Sequence, residues 1–263
     1  MMRYLLIALC LLIFQNPGPS LTGATSSASP SSPVAGMTVW YSADCITLSG
    51  SVCSTPGSTT NLSTWSDRSG NGNNLSSASG ACQWSASQIN SLPAVLFNGT
   101  CRLNMGINIP ATAGHTVFVV YQDLATDGYI LGSTHLDGFS YVPPGSASGE
   151  VAAVVGQNLR VYGAGTNQVV SGTWHQSNAL MINYTSGPGF TVNLRLDEAV
   201  DPTSSTTSGD MQGDGPTGVG GNFYGGFSQQ YFGRVAEVIY YNSNLTSYQI
   251  LQNEQYLKGK YGI

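Results

Sequence analysis

Charge is the scarcest thing in this sequence of 263 residues. Only 8% of positions are charged, with Lys+Arg 8 against Asp+Glu 13, for a formal net charge of −5. So few cations leave no basic stripe to follow a phosphate backbone, which excludes a nucleic-acid partner. They also offer little to anionic lipid headgroups. Long apolar runs are lacking as well. The leading run, Tyr4–Phe14, is too short for a bilayer, which needs about 20 apolar residues. Arg3 precedes the run, and small residues follow it, with Ser20 and Ala24 as cleavage positions. This is the three-part pattern of a secretory signal. Residues 1–24 are therefore expected to be that signal, and the protein to be secreted or at the cell surface, with no membrane insertion. Residues 25–36 hold mostly Ser, Pro, Ala and Thr and read as a flexible spacer. The rest, 37–263, has the length of one all-β domain.

Several catalytic patterns are also missing. No HExxH helix or GxSxG elbow occurs, either of which would mark a metalloprotease or hydrolase. Glutamate is confined to Glu150, Glu198, Glu237 and Glu254, and none has an acid two residues away. Retaining glycosidases need two carboxyl groups about 5 Å apart, and alternate residues of one strand would supply that spacing. Asp197 and Glu198 are adjacent, so on a strand they point to opposite faces. His115, His135 and His175 are each isolated. His175, beside Trp174, is the first of them to inspect, and a satisfied structural role is the default for all three. Glu237 lies between apolar neighbours and reads as structural, a hydrogen-bonded edge residue or a buried acid, rather than catalytic.

What the chain does have is many short strand-like runs separated by Gly, Pro, Asn and Ser, the pattern of a sandwich or barrel. These runs include Thr38–Ser42, Leu62–Trp65, Gln83–Ala86, Ala94–Phe97, His115–Gln122, Thr173–Tyr184, Phe190–Leu196 and Gly233–Tyr241. No βαβ alternation appears. Val117–Val120 is continuously apolar, as in a strand covered on both faces. One helix is expected near the C-terminus. Thr246 and Gln249 form a capping box, Leu245 and Ile250 a hydrophobic staple, and Lys258 and Lys260 complement the helix dipole. The fold class is therefore all-β, an antiparallel sandwich with one C-terminal α-helix.

Four cysteines follow the signal, and three pairings are possible. The preferred disulfides are Cys45–Cys53, closing the loop after the first strand, and Cys82–Cys101, joining the ends of strands around Leu92–Phe97. Without a CxxC spacing, a zinc site is the weaker reading.

Four motifs occur in a fixed order. The first is the corner Trp65-Ser66-Asp67-Arg68-Ser69-Gly70-Asn71-Gly72-Asn73-Asn74, in which Asp67 is placed to accept backbone N–H groups of the turn. Then come Leu92–Gly99, the strand Phe232–Asn242, and the closing Tyr256–Ile263. Together they resemble the concanavalin A-like lectin/glucanase superfamily, most nearly the laminin-G-like modules of secreted bacterial proteins, across about residues 37–263. The resemblance implies a jelly-roll sandwich.

Sugar sites on that fold use aromatic faces flanked by hydrogen-bonding groups. The segment 220–227 supplies Asn222, Phe223, Tyr224 and Phe227, and Trp174 is a further candidate. Laminin-G-like modules commonly hold calcium, for which Asp210 and Asp214, or the loop Asp123–Asp127, have a suitable composition. The expected function is a secreted, non-catalytic, lectin-like domain whose partner is a glycan or another cell-surface polymer. The first alternative is a structural or adhesive protein that self-associates. A glycan hydrolase or lyase of the same fold ranks last.

Overall fold

The computed structural model describes residues 29–108, 114–124, 128–133, 140–142, 152–154, 160–162, 174–183, 190–200, 205–207, 216–221 and 230–263. The signal segment, Asn222, Phe223, Tyr224, Phe227, Asp210 and Asp214 lie outside them.

The strands in chain order are β1 (Val39–Ser42), β2 (Thr47–Ser49), β3 (Val52–Ser54), β4 (Thr60–Leu62), β5 (Thr64–Trp65), β6 (Leu75–Ser79) and β7 (Cys82–Ile89). They continue with β8 (Leu92–Asn98), β9 (Arg102–Asn108), β10 (His115–Asp123), β11 (Leu131–Ser133), β12 (Ser140–Val142), β13 (Ala152–Val154) and β14 (Arg160–Tyr162). The last are β15 (Trp174–Asn183), β16 (Phe190–Leu196), β17 (Ala199–Val200), β18 (Ser205–Thr207), β19 (Pro216–Val219) and β20 (Phe232–Tyr241), followed by the helix α1 (Ser247–Tyr261).

Among the described residues, one sheet runs β17-β16-β15-β10-β20-β8-β7-β4, with β1 also on β20 and β18 on β16. The second runs β14-β13-β12-β11-β19-β9-β6-β5. The pairings are antiparallel. The protein is thus an all-β sandwich with a C-terminal helix.

Two apolar layers hold it together. Between the sheets lie Val39, Tyr41, Trp65, Leu75, Phe97, Leu103, Val117, Val119 and Val238 among others. Between the first sheet and α1 lie Trp40, Phe118, Val120, Ile239, Tyr241, Ile250, Leu257 and Tyr261. β10 feeds both layers with alternate residues, which is why its centre, Val117–Val120, is apolar without interruption.

The capping box of α1 forms as the sequence predicts. Thr246 Oγ1 accepts from Gln249 N, and Gln249 Oε1 accepts from Thr246 N at 2.9 Å. Gly262 ends the helix with φ 68°, a left-handed value that favours glycine, and its N–H reaches Lys258 O at 2.8 Å. Residues 29–36, from the segment read as a spacer, run against this helix. Val34 N donates to Asn253 Oδ1 at 2.9 Å, and Tyr241 Oη donates to Val34 O at 2.7 Å.

Both expected disulfides are present, Cys45–Cys53 and Cys82–Cys101. The expected strand Leu62–Trp65 proves to be two. β4 pairs with β7 in the first sheet, and β5 pairs with β6 in the second. Leu62 and Trp65 are both buried. Residues three apart cannot share one face of a strand, so the chain changes sheets at Ser63.

Candidate functional site

The corner after β5 is built around Asp67, which is 2% exposed. Its Oδ1 accepts the N–H groups of Trp40 and Ser69, each at 2.9 Å. Its Oδ2 accepts Ser69 Oγ at 2.7 Å and Asn73 N at 3.0 Å. Asn71 Nδ2 donates to Met37 O at 2.9 Å, and Asn73 Nδ2 donates to Thr38 O at 3.0 Å. The corner therefore does more than reverse the chain, because it clamps β1. Arg68 N bonds to Trp40 O at 2.8 Å, and the Arg68 guanidinium lies 4.0 Å from the centroid of the Trp40 ring.

β20 supplies the second part. One of its sides pairs with β10 throughout. Its other side pairs with β8 from Phe232 to Val235, then with β1 from Glu237 to Tyr240. At this handover the register with β10 jumps, because Val120 faces Glu237 while Tyr121 faces Val235. Ala236 is the extra residue, so β20 carries a β-bulge. The bulge changes the phase of the strand. Val235 points between the sheets, and strict alternation would send Glu237 there too. Instead Glu237 shares the side of Ile239 and Tyr241, under α1.

Glu237 is 0% exposed. Its Oε1 accepts Trp40 Nε1 at 2.6 Å and Tyr256 Oη at 2.8 Å. Its Oε2 accepts Tyr261 Oη at 2.6 Å and Lys260 Nζ at 2.7 Å, while Ser42 Oγ, whose one proton goes to Asp44, lies 3.2 Å away. Lys260 Nζ also donates to Ser42 Oγ at 2.7 Å and Tyr256 Oη at 3.2 Å, and pairs with Asp44 Oδ2 at 3.1 Å. Asp44 Oδ1 accepts from Ser42 Oγ at 2.6 Å and Arg68 Nη1 at 3.1 Å. Burial pushes the Asp44 carboxyl up, but Lys260, the Ser42 hydroxyl and Arg68 outweigh it and hold it below the usual carboxylate range. Burial raises the Tyr256 and Tyr261 phenols, and the negative charge of Glu237 raises them further.

In front of this network opens a cavity of about 380 Å³. Trp40, Asp44, Arg68, Tyr256 and Lys260 line it, and Ser29–Ser31 and Gly259 complete the wall. Glu237 is not part of the lining. A carboxylate offers about four lone-pair sites, and the four donors Trp40, Tyr256, Tyr261 and Lys260 occupy them. It has no capacity left to act as a base on a bound molecule, which agrees with the structural role read from the sequence.

The other expected site residues fare differently. Trp174 is half-buried against the layer under α1, and its Nε1 donates to Gln88 O at 3.2 Å. The described stem of the 220–227 segment, Gly220 and Gly221, joins Tyr231 and Gln230 instead. His115 is buried and shares a 2.7 Å hydrogen bond with Tyr240 Oη. His135 and the side chain of His175 lie outside the description. Asp123 is buried. No cluster of three His, Cys, Asp or Glu able to hold a metal occurs among the described residues.

Asp44, Arg68 and Lys260 were missed as a site. The signal that could have found them is the rarity of charge itself, since four of the chain's eight Lys and Arg residues, Arg68, Arg234, Lys258 and Lys260, fall within the four ordered motifs.

No protein-family model matches the sequence, and no curated protein sequence does. The fold, however, recurs in solved structures. Domain 4 of AbnA, a GH43 extracellular arabinanase from Geobacillus stearothermophilus solved with arabinotriose, superposes with a TM-score of 0.57 at 16% identity. The match covers 84% of this chain and 98% of that domain. Trypanosoma rangeli sialidase in complex with the inhibitor DANA gives 0.52 at 14% identity, over 88% of this chain but only 35% of the sialidase. The binding domain of Paraclostridial Mosquitocidal Protein 1 gives 0.52 at 12% identity, covering 75% of this chain and 51% of that one. At these identities the likeness is one of fold alone, a β-sandwich. Two disulfides fit an oxidising compartment. Among the described residues no helix is long and apolar enough to cross a membrane.

Proposed function

We propose that this is a secreted, laminin-G-like domain that binds glycan without transforming it. One observation carries the reading. The cavity is lined by both charged and aromatic residues, while the carboxylate behind it is engaged by four donors. Small-ligand sites combine such apolar walls with a few fixed polar groups. The arabinanase domain solved with arabinotriose supports the reading as a relative in fold. The aromatics of the 220–227 segment form a second contact surface in this reading, and calcium on the loop of Asp210 and Asp214 belongs to it as an accessory.

The test is a glycan array with the secreted protein, run beside an assay for sugar release from each bound glycan. Binding without product is the expected result. Release of product would make the protein an enzyme. Absence of binding, together with regular assemblies in native mass spectrometry, would instead favour the self-associating structural role.

A further inference from the structure

The Arg68 guanidinium is held but largely unspent. It stacks on Trp40, and its Nη1 donates to Asp44 Oδ1 at 3.1 Å. An arginine carries five N–H donors in a rigid fork. Those not given to Asp44 remain at the cavity wall, where Arg68 is 24% and Asp44 33% exposed. Lys260, by contrast, spreads its protons over Ser42, Glu237, Tyr256 and Asp44.

The geometry points to a neutral sugar, gripped through a vicinal diol by Arg68 and Asp44. This rests on the glycan-binding reading above and names the ligand class of the same cavity. The Arg68 guanidinium and the Asp44 carboxylate stand side by side, with Nη1 3.1 Å from Oδ1. One hydroxyl accepts from the guanidinium while the other donates to the carboxylate, so both partners are used. The charges around the cavity cancel, with Arg68 and Lys260 opposite Asp44 and Glu237. A uronate or sulfated chain would therefore meet no net attraction locally, and the chain as a whole carries −5. Finally, Pro30, Trp40 and Tyr256 are the apolar members of the lining, against which the C–H face of a sugar ring would rest. A volume of about 380 Å³ lies at the small end of ligand pockets, which suits the end of a chain rather than its length.

The experiment is isothermal titration calorimetry on the mature protein. The probes are neutral arabino-, gluco- and galacto-oligosaccharides, with oligogalacturonates as the charged arm. A neutral oligosaccharide should bind, with little dependence on salt. Asp44→Asn and Arg68→Lys should each weaken it about tenfold, the effect of losing one charge-assisted hydrogen bond. Arg68→Lys keeps the positive charge beside Asp44 while removing the fork, and thermal melting verifies that both variants fold. In the unmodified protein, ligand should also perturb the Trp40 indole N–H resonance. Tight, salt-sensitive binding of oligogalacturonates would overturn the neutral class. Binding that ignores both variants but fails on Tyr224→Ala would move the site to the 220–227 segment, overturning this inference while leaving glycan binding intact. No binding of any glycan by the unmodified protein would remove the underlying reading itself.

Discussion

Lys260 Nζ lies 2.7 Å from Glu237 Oε2, joining the last turn of α1 to the bulged centre of β20. The lysine is 15% exposed and the glutamate not at all. The contact therefore has two roles, neutralising a buried carboxylate and fixing the floor of the cavity.

Removing the cation alone leaves Glu237 buried and uncompensated. Lys260→Met is expected to destabilise the protein by about 3–5 kcal/mol, the usual cost of breaking one side of a buried pair. Urea denaturation measures it. Adding Glu237→Gln to Lys260→Met should recover part of the loss, because the carboxamide needs no counter-charge. A double variant less stable than Lys260→Met would show that the pair is not what the network depends on.

Acid and base should each weaken the fold by an identifiable group. Asp44 is held below its unfolded value by Lys260, Ser42 and Arg68 despite its burial. Its contribution is complete above the unfolded pKa of about 3.9 and is lost as pH falls through the lower, folded value. Asp44→Asn should accordingly flatten the acid limb of a stability–pH curve. At the other end, burial pushes Tyr241 up to about 12, the hydrogen bond with Asn253 opposes the shift, and Glu237 adds to it. Burial and then Glu237 also raise Tyr256 and Tyr261. A raised phenol stabilises the folded state fully below its unfolded pKa, about 10, and that stability disappears as pH rises through the folded value. Phenolate absorbance should therefore show a late group that titrates together with unfolding.

Much of this fold was legible before any coordinates, for reasons that can be named. α1 announced itself through Thr246, Gln249, Leu245 and Ile250, all local signals. β10 did so through continuous apolarity, which only a strand covered on both faces requires. β6 went unread because Leu75-Ser-Ser-Ala-Ser has one buried residue followed by exposed small ones. β9 went unread although Leu103 and Met105 alternate, because Gly106 and three polar residues dilute the pattern. The cavity was invisible for a different reason. Its residues come from positions 40, 44, 68, 256 and 260, brought together by a bulge at Ala236 that no periodicity reveals.

The disulfides should matter to stability rather than to the site. Cys45–Cys53 and Cys82–Cys101 close loops of 8 and 19 residues in sequence separation. Each is expected to contribute about 3 kcal/mol by restricting the unfolded chain. The paired Cys82→Ser, Cys101→Ser variant should lower the unfolding free energy measured by urea denaturation by that amount. It should leave sugar affinity unchanged, because neither residue borders the cavity. A thiol assay on the denatured, unreduced mature protein should find no free cysteine.

The corner at Asp67 connects stability to binding. Four donors converge on one buried carboxylate, from Trp40, Ser69 twice and Asn73. Each donor left unsatisfied costs about 1–3 kcal/mol, so Asp67→Ala should destabilise by several kcal/mol. Asp67→Asn keeps the size but replaces one acceptor oxygen with a donor, and some destabilisation should remain. The consequence reaches the cavity because Asp67 holds the Trp40 N–H while Arg68, the next residue, covers the Trp40 ring. In Asp67→Asn, near-ultraviolet circular dichroism from the tryptophans should weaken, and sugar affinity should fall along with it. Stability lost with affinity and tryptophan signal intact would mean that the corner braces β1 without positioning Arg68. That result would separate the motif that defines the fold from the residues that grip the ligand.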